Sequence, residues 1–142
     1  SNVEKSSKKA ESHKTDWPIH GIYKKQVRDR LTPLLKDKET AAWLNKNGQE
    51  VWSVFNLDLD TIRSMVIPLY SGDKRGNQPC DPFGILRSFL LMVLMKETRI
   101  TSWAADVKAS AMMSIVCGFK PGSAPAVGTY YEFFKRLENG PY

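Results

Sequence analysis

Cysteine and histidine are scarce in this sequence: Cys80 and Cys117 are its two thiols, His13 and His20 its two imidazoles. Two cysteines cannot build the disulfide framework of a small secreted scaffold, and neither has a Cys or His partner at zinc-ligand spacing. The expected setting is a reduced one, in the cytoplasm. Long apolar runs are missing as well. The longest, Phe89 to Met95, is far below the roughly 18 residues that span a bilayer. The first residues also lack the apolar stretch of a secretion signal, so neither a membrane partner nor export is expected. No segment alternates apolar and polar residues over a useful length, and no glycine-rich phosphate loop follows a strand pattern. These two absences argue against a sheet and against nucleotide chemistry, and no small-molecule substrate is expected.

What the chain does have is a basic excess that is unevenly placed. Its 142 residues carry 21 Lys+Arg and 15 Asp+Glu, a net charge of +6, in a length sufficient for one globular domain. Residues 1–16 contribute +1, residues 17–47 contribute +4, residues 48–81 contribute −2, residues 82–126 contribute +3, and residues 127–142 balance. The densest cations are Lys24, Lys25, Arg28 and Arg30. Such asymmetry points to a polyanionic partner and says nothing about fold.

The organisation reads as all-α. Residues 1–16 hold one apolar residue larger than Ala and no periodicity, so a disordered basic arm is expected there. Residues 17–71 form an N-terminal helical part. Helical spacing starts at Val27, with Leu31, Leu34 and Leu35 on its stripe, and Pro33 is expected to break it. Helices over Glu39–Asn45 and Glu50–Asn56 follow, then one from about Asp60 to Ile67, capped by Asp58 or Asp60 and limited by Pro68. Residues 72–81 are a polar connection.

In residues 82–142, Asp81 followed by Pro82 opens a helix expected to reach about Glu97. Nine of the twelve residues from Ile85 to Lys96 are apolar, which leaves almost no solvated face, so this is the expected core helix. Thr101 or Ser102 is expected to cap a helix through Ala109, and Ser110 one through Cys117, with Gly118 as a left-handed terminator. The last helix spans about Gly128–Glu138. Its periodicity places Val127, Tyr130, Tyr131, Phe133, Phe134 and Leu137 on one arc, opposite Gly128, Thr129, Glu132, Lys135 and Arg136. With the two helices before it, this helix is expected to form a trihelical unit of the helix-turn-helix kind. Thr129, Glu132 and Arg136 would then lie within reach of base edges, while Lys108, Lys120, Lys135 and Arg136 line one edge and neutralise phosphates. Lys24, Lys25 and Arg28 are expected to add phosphate contacts.

The stretch from Asp81 to Leu137 resembles the N-terminal helical domain of bacterial insertion-sequence transposases of the DDE class. The features that carry the likeness are Asp81-Pro82 opening an apolar helix with Arg87, Trp103 in the next helix, and Gly118-Phe119 closing the third. Pro125 then precedes Thr129-Tyr130-Tyr131 and Phe133-Phe134-Lys135-Arg136-Leu137. The resemblance implies an N-terminal DNA-binding domain that recognises terminal inverted repeats in double-stranded DNA during transposition. It also implies a following RNase-H-like catalytic domain, absent from this chain, that alone would hold divalent metal. On that reading this chain carries no catalytic residues, no metal and no cofactor, and it can form a homodimer.

Asp58, Asp60, Asp73 and Asp81 lie at helix starts or turns, where capping accounts for them. Cys117, beside a terminating glycine, reads as a small packed residue. Trp17, Trp43, Trp52 and Trp103 could stack on bases, but their spacing suits a helical core. The alternative reading of the whole is a helical protein-interaction or dimerisation module working through Tyr131, Phe133 and the 17–47 segment.

Overall fold

A computed structural model describes residues 17–71 and 79–140. The expected arm over 1–16, Asp73, most of the polar connection and the last two residues lie outside these. The described residues contain eight α-helices and three short 3₁₀ turns, with no strand among them. The fold is all-α.

Helix α1 covers His20–Leu31 and so begins earlier than the apolar stripe at Val27 implies. Its first turn has no capping side chain of its own. Asp60, distant in sequence, fills that role by accepting the His20 backbone N–H at 2.9 Å. Pro33 acts as expected: the α-helix stops at Leu31 and a 3₁₀ turn, Thr32–Lys36, takes over. Asp37 then caps α2 (Lys38–Lys46), its carboxylate accepting the Thr40 amide and hydroxyl. Helix α3 is Gly48–Asn56.

The single helix expected over Asp60–Ile67 is a chain of short pieces. A 3₁₀ turn at Leu59–Ile62 leads into α4 (Arg63–Val66), and a second at Ile67–Tyr70 carries Pro68 at its start, beyond the expected stop. Proline there removes a donor only where the new turn needs none. Asp58 caps by accepting the Asp60 amide at 2.9 Å, which leaves Asp60 for α1.

Helix α5 (Pro82–Leu94) opens as the Asp-Pro pair requires, with Asp81 accepting the Phe83 amide at 2.9 Å. It ends before Glu97 because Lys96 turns left-handed at φ 60° and the Glu97 amide bonds back to the Met92 carbonyl. Residues 82–85, Arg87, Ser88, Leu91 and Met92 are buried, but Phe89 and Val93 are exposed. The core helix therefore has a solvated apolar strip where almost no solvated face was expected. Helix α6 begins at Ile100 with no side-chain cap, so neither Thr101 nor Ser102 fills that position; Ser102 instead donates to the Arg99 carbonyl. Ser110 caps α7 (Ala111–Cys117) through the Met113 amide, and Gly118 terminates it at φ 96°. Helix α8 is Val127–Asn139.

One core joins the parts on either side of the 72–78 connection, since Trp17, Val54, Val66 and Tyr70 pack in the same cluster as Phe83, Leu91, Trp103 and Phe133. Polar bonds pin the C-terminal helices to each other. The Trp103 Nε1–H of α6 donates to Ser88 Oγ of α5 at 3.0 Å, and that hydroxyl lies 2.7 Å from the Tyr130 hydroxyl of α8. All three side chains are buried, so each hydrogen bond satisfies a group that would otherwise lose water without replacement.

Candidate nucleic-acid interface

Helix α8 meets the core along a narrower stripe than its aromatic arc suggests. Tyr130 and Phe133 are buried and Phe134 is half-buried against Phe89, with ring centroids 5.5 Å apart. Tyr131 and Leu137 are exposed. The centre of the outward face is held by Gly128, Tyr131, Glu132 and Lys135, all exposed.

Arg136 departs from the expected free face. Its Nη1 donates to the Leu69 carbonyl at 3.2 Å, Nη2 pairs with Glu132 Oε1 at 3.1 Å, and its guanidinium carbon lies 4.2 Å from the Tyr70 ring centroid. The side chain is turned toward the 67–70 segment, where a backbone carbonyl accepts from it and an aromatic face lies against it. Thr129 is half-buried. Of the three expected base readers, Glu132 is exposed but engaged with Arg136.

The cations expected along one edge are divided. Lys135, Arg136 and Glu132 line a cavity of about 440 Å³ with Pro68, Leu69 and Asn139. Lys120 lines another, of about 300 Å³, together with Gln26 and Arg30 of α1, Gly118 and Asp81. Lys108 is exposed on α6. Helix α1 thus contributes a second cation, Arg30, to the groove that Lys120 lines.

Within the Lys24, Lys25, Arg28 group, two side chains have fixed seats. Lys25 and Arg28 are exposed and Lys24 is half-exposed. Lys24 Nζ sits 4.7 Å from the Phe55 ring centroid and donates to Asn56 Oδ1 at 3.2 Å; the Arg28 guanidinium carbon is 5.7 Å from the same ring. Neither has a carboxylate within 4.0 Å among the described residues. An aromatic face orients these charges without neutralising them, so their field is available to a polyanion.

The tryptophans separate sharply. Trp17 and Trp103 are buried and Trp43 is half-buried, in line with core packing. Trp52 is 66% exposed, with its ring 6.1 Å from Phe55. Core spacing alone did not find it. The signal was its place in α3, where Val51 and Val54 take the inward positions and leave Trp52 outside.

Burial pushes the Cys117 thiol up to about 12, and the Cys80 thiol likewise, so neither is a thiolate at neutral pH. Burial also raises Asp81 and lowers Arg87 from their ordinary values. Among the described residues no three His, Cys, Asp or Glu side chains gather as metal ligands, and no helix is long and apolar enough to cross a membrane. No protein family model, curated protein or solved structure matches this chain.

Proposed function

We propose that this chain is the DNA-binding part of a DDE transposase, recognising the terminal inverted repeats of a mobile element in double-stranded DNA. It carries no catalytic residues and needs no cofactor of its own. The observation that carries the reading is the trio Lys24, Lys25 and Arg28, outward on α1, with two of the three seated on Phe55 and without carboxylate partners among the described residues. The order of α6, α7 and α8, closed at Gly118, supports a helix-turn-helix-like unit beside it. In that unit Lys135 and Lys108 supply phosphate contacts from exposed positions. Lys120 adds another from the groove it shares with Arg30.

The test is a titration of the chain on terminal-repeat and scrambled duplexes over a range of salt. Each phosphate neutralised adds about −0.9 to the slope of log affinity against log salt. Replacing Lys24, Lys25 and Arg28 together by Ala should flatten that slope by about two to three. A salt-independent affinity, or a slope untouched by the triple change, overturns the reading.

An interaction module is favoured by one specific observation. Phe89 and Val93 on α5 and Tyr131 on α8 are exposed apolar side chains on helices that touch through Phe89 and Phe134. Phe133, by contrast, is buried and has no surface to offer a partner. Concentration-dependent sedimentation that Tyr131→Ala abolishes would favour this second reading.

A further inference from the structure

Trp52 is the most exposed of the large apolar side chains among the described residues, and a core role would have placed it inside with Trp17 and Trp103. Its position is more specific than exposure alone. It projects from α3 one helical turn before Phe55, at a ring separation of 6.1 Å, and Phe55 is the seat on which Lys24 and Arg28 rest. Asn56, next in the helix, holds Lys24 Nζ at 3.2 Å. An exposed indole and two oriented cations that lack carboxylate partners among the described residues are thus gathered around one ring, Phe55.

That pairing selects its ligand. Cations at fixed positions attract phosphates, and an aromatic face beside them gives a base something to stack on. In a closed duplex every base face is already covered by its neighbours, so an indole gains nothing along the body of the helix. An apolar protein partner would gain from the indole but would strand Lys24 and Arg28 at its edge. The ligand that uses both features is a nucleic-acid strand with at least one unpaired base.

We propose that Trp52 stacks on an unpaired base at the end of a DNA duplex whose adjoining phosphates are held by Lys24 and Arg28. The inference rests on the DNA-binding reading given above and names the part of the DNA that this face takes. Double-stranded DNA is held electrostatically, and the end of a strand is held by stacking.

The experiment uses the whole chain and three probes of one sequence: a duplex closed at both ends by hairpins, the same duplex with a short single-stranded extension, and the single strand alone. Trp52→Ala and Trp52→Phe are compared with the parent protein, with thermal melts as the check on folding. Because Trp52 is largely in water, both variants should melt like the parent. Trp52→Ala should weaken binding to the extended duplex and to the single strand by about tenfold, within the range a lost base stack gives, and leave the closed duplex within twofold. Trp52→Phe should restore part of the loss. Quenching of tryptophan fluorescence by the single strand should disappear in both variants.

An equal loss on all three probes, or no loss on any, overturns the stacking inference while the DNA-binding reading stands. If no probe binds, both fall. If Trp52→Ala abolishes self-association and changes no affinity for DNA, the face belongs to a second copy of the chain and the inference is overturned.

Discussion

The guanidinium carbon of Arg87 lies 3.5 Å from the centroid of the Tyr23 ring, so the central helix α5 meets the basic helix α1 through a buried cation on an aromatic face. Arg87 is 2% exposed, its Nε has no hydrogen-bond partner, and no carboxylate lies within 4.0 Å of it among the described residues. The nearest compensation is the Tyr23 ring, with Asp81 and Asp60 acting over longer distances. Tyr23 is itself fixed, its hydroxyl donating to the Val116 carbonyl at 2.6 Å. The face that carries Lys24, Lys25 and Arg28 is thereby locked to the core.

The first prediction separates charge from volume at Arg87. A buried cation on an aromatic face contributes about 2 kcal/mol, and an orphaned buried nitrogen costs about 1 to 3 kcal/mol, so these two effects nearly cancel. Arg87→Met, which keeps the stem, should change stability by less than about 1 kcal/mol, whereas Arg87→Ala should cost about 3 kcal/mol or more through the cavity it leaves. Tyr23→Phe should cost about 1 to 3 kcal/mol by stranding the Val116 carbonyl. Urea titrations of the three variants decide it, and equal losses for Met and Ala would mean that the charge matters more than the packing.

Two glycines govern how closely α5 and α7 approach. A Cβ on Gly84 would lie 2.7 Å from Phe119 Cε1 and Cζ and 3.3 Å from the Cys117 carbonyl. One on Gly118 would lie 3.2 Å from Arg87 Nη1, at a φ of +96° that side chains rarely adopt. Gly84→Ala forces the Phe119 ring aside, and Gly118→Ala adds backbone strain of about 1 to 3 kcal/mol. Both should lower the melting midpoint, while Gly122→Ala, with positive φ but open space around it, should show the strain alone. A Gly118→Ala protein as stable as the parent would contradict the close contact.

Alkaline pH should destabilise the fold through groups whose acidity burial suppresses. Tyr70 and Tyr130 are pushed from 10.0 to about 12, and Cys80 and Cys117 from 9.0 to about 12. A raised folded value means that the native state keeps its proton where the unfolded chain has lost it. The stabilisation is complete below the ordinary values and disappears as pH rises toward about 12. Denaturant midpoints should therefore be level between about pH 7 and 8 and fall above about pH 9, where unfolded thiols begin to ionise. Cys117→Ala should make the decline shallower. Stability that rises above pH 9 would have the wrong sign.

Local chemistry made much of this fold legible. Asp81-Pro82, Asp58, Ser110 and Gly118 each satisfy a helix end with their own atoms or conformation, so the residue identity is enough. What the sequence hid depends on distant neighbours. The start of α1 is capped by Asp60, forty positions away, and no window around His20 contains that information. Arg136 sits on the polar side by periodicity, yet Leu69 and Tyr70 bring a carbonyl and a ring to it from another segment. Trp52 was hidden for the opposite reason, since hydrophobicity suggested burial and α3 had already filled its inward positions with Val51 and Val54.

Arg136 gives the sharpest test of how α8 is used. Its hydrogen bond to the Leu69 carbonyl and its place over Tyr70 tie α8 to the 67–70 turn, while the ion pair with exposed Glu132 adds little. Arg136→Ala should therefore cost about 1 to 3 kcal/mol, from a charged hydrogen bond and a cation over a ring. Glu132→Gln, which leaves both contacts in place, should cost less than about 0.5 kcal/mol. Lys135→Ala, at an exposed position, should leave the melt unchanged and weaken binding to terminal-repeat and scrambled duplexes alike. Melts paired with titrations on both duplexes distinguish the cases. If Arg136→Ala melts with the parent and loses only its preference for the terminal repeat, the side chain leaves Tyr70 to read a base, and α8 enters the groove in the way its periodicity first implies.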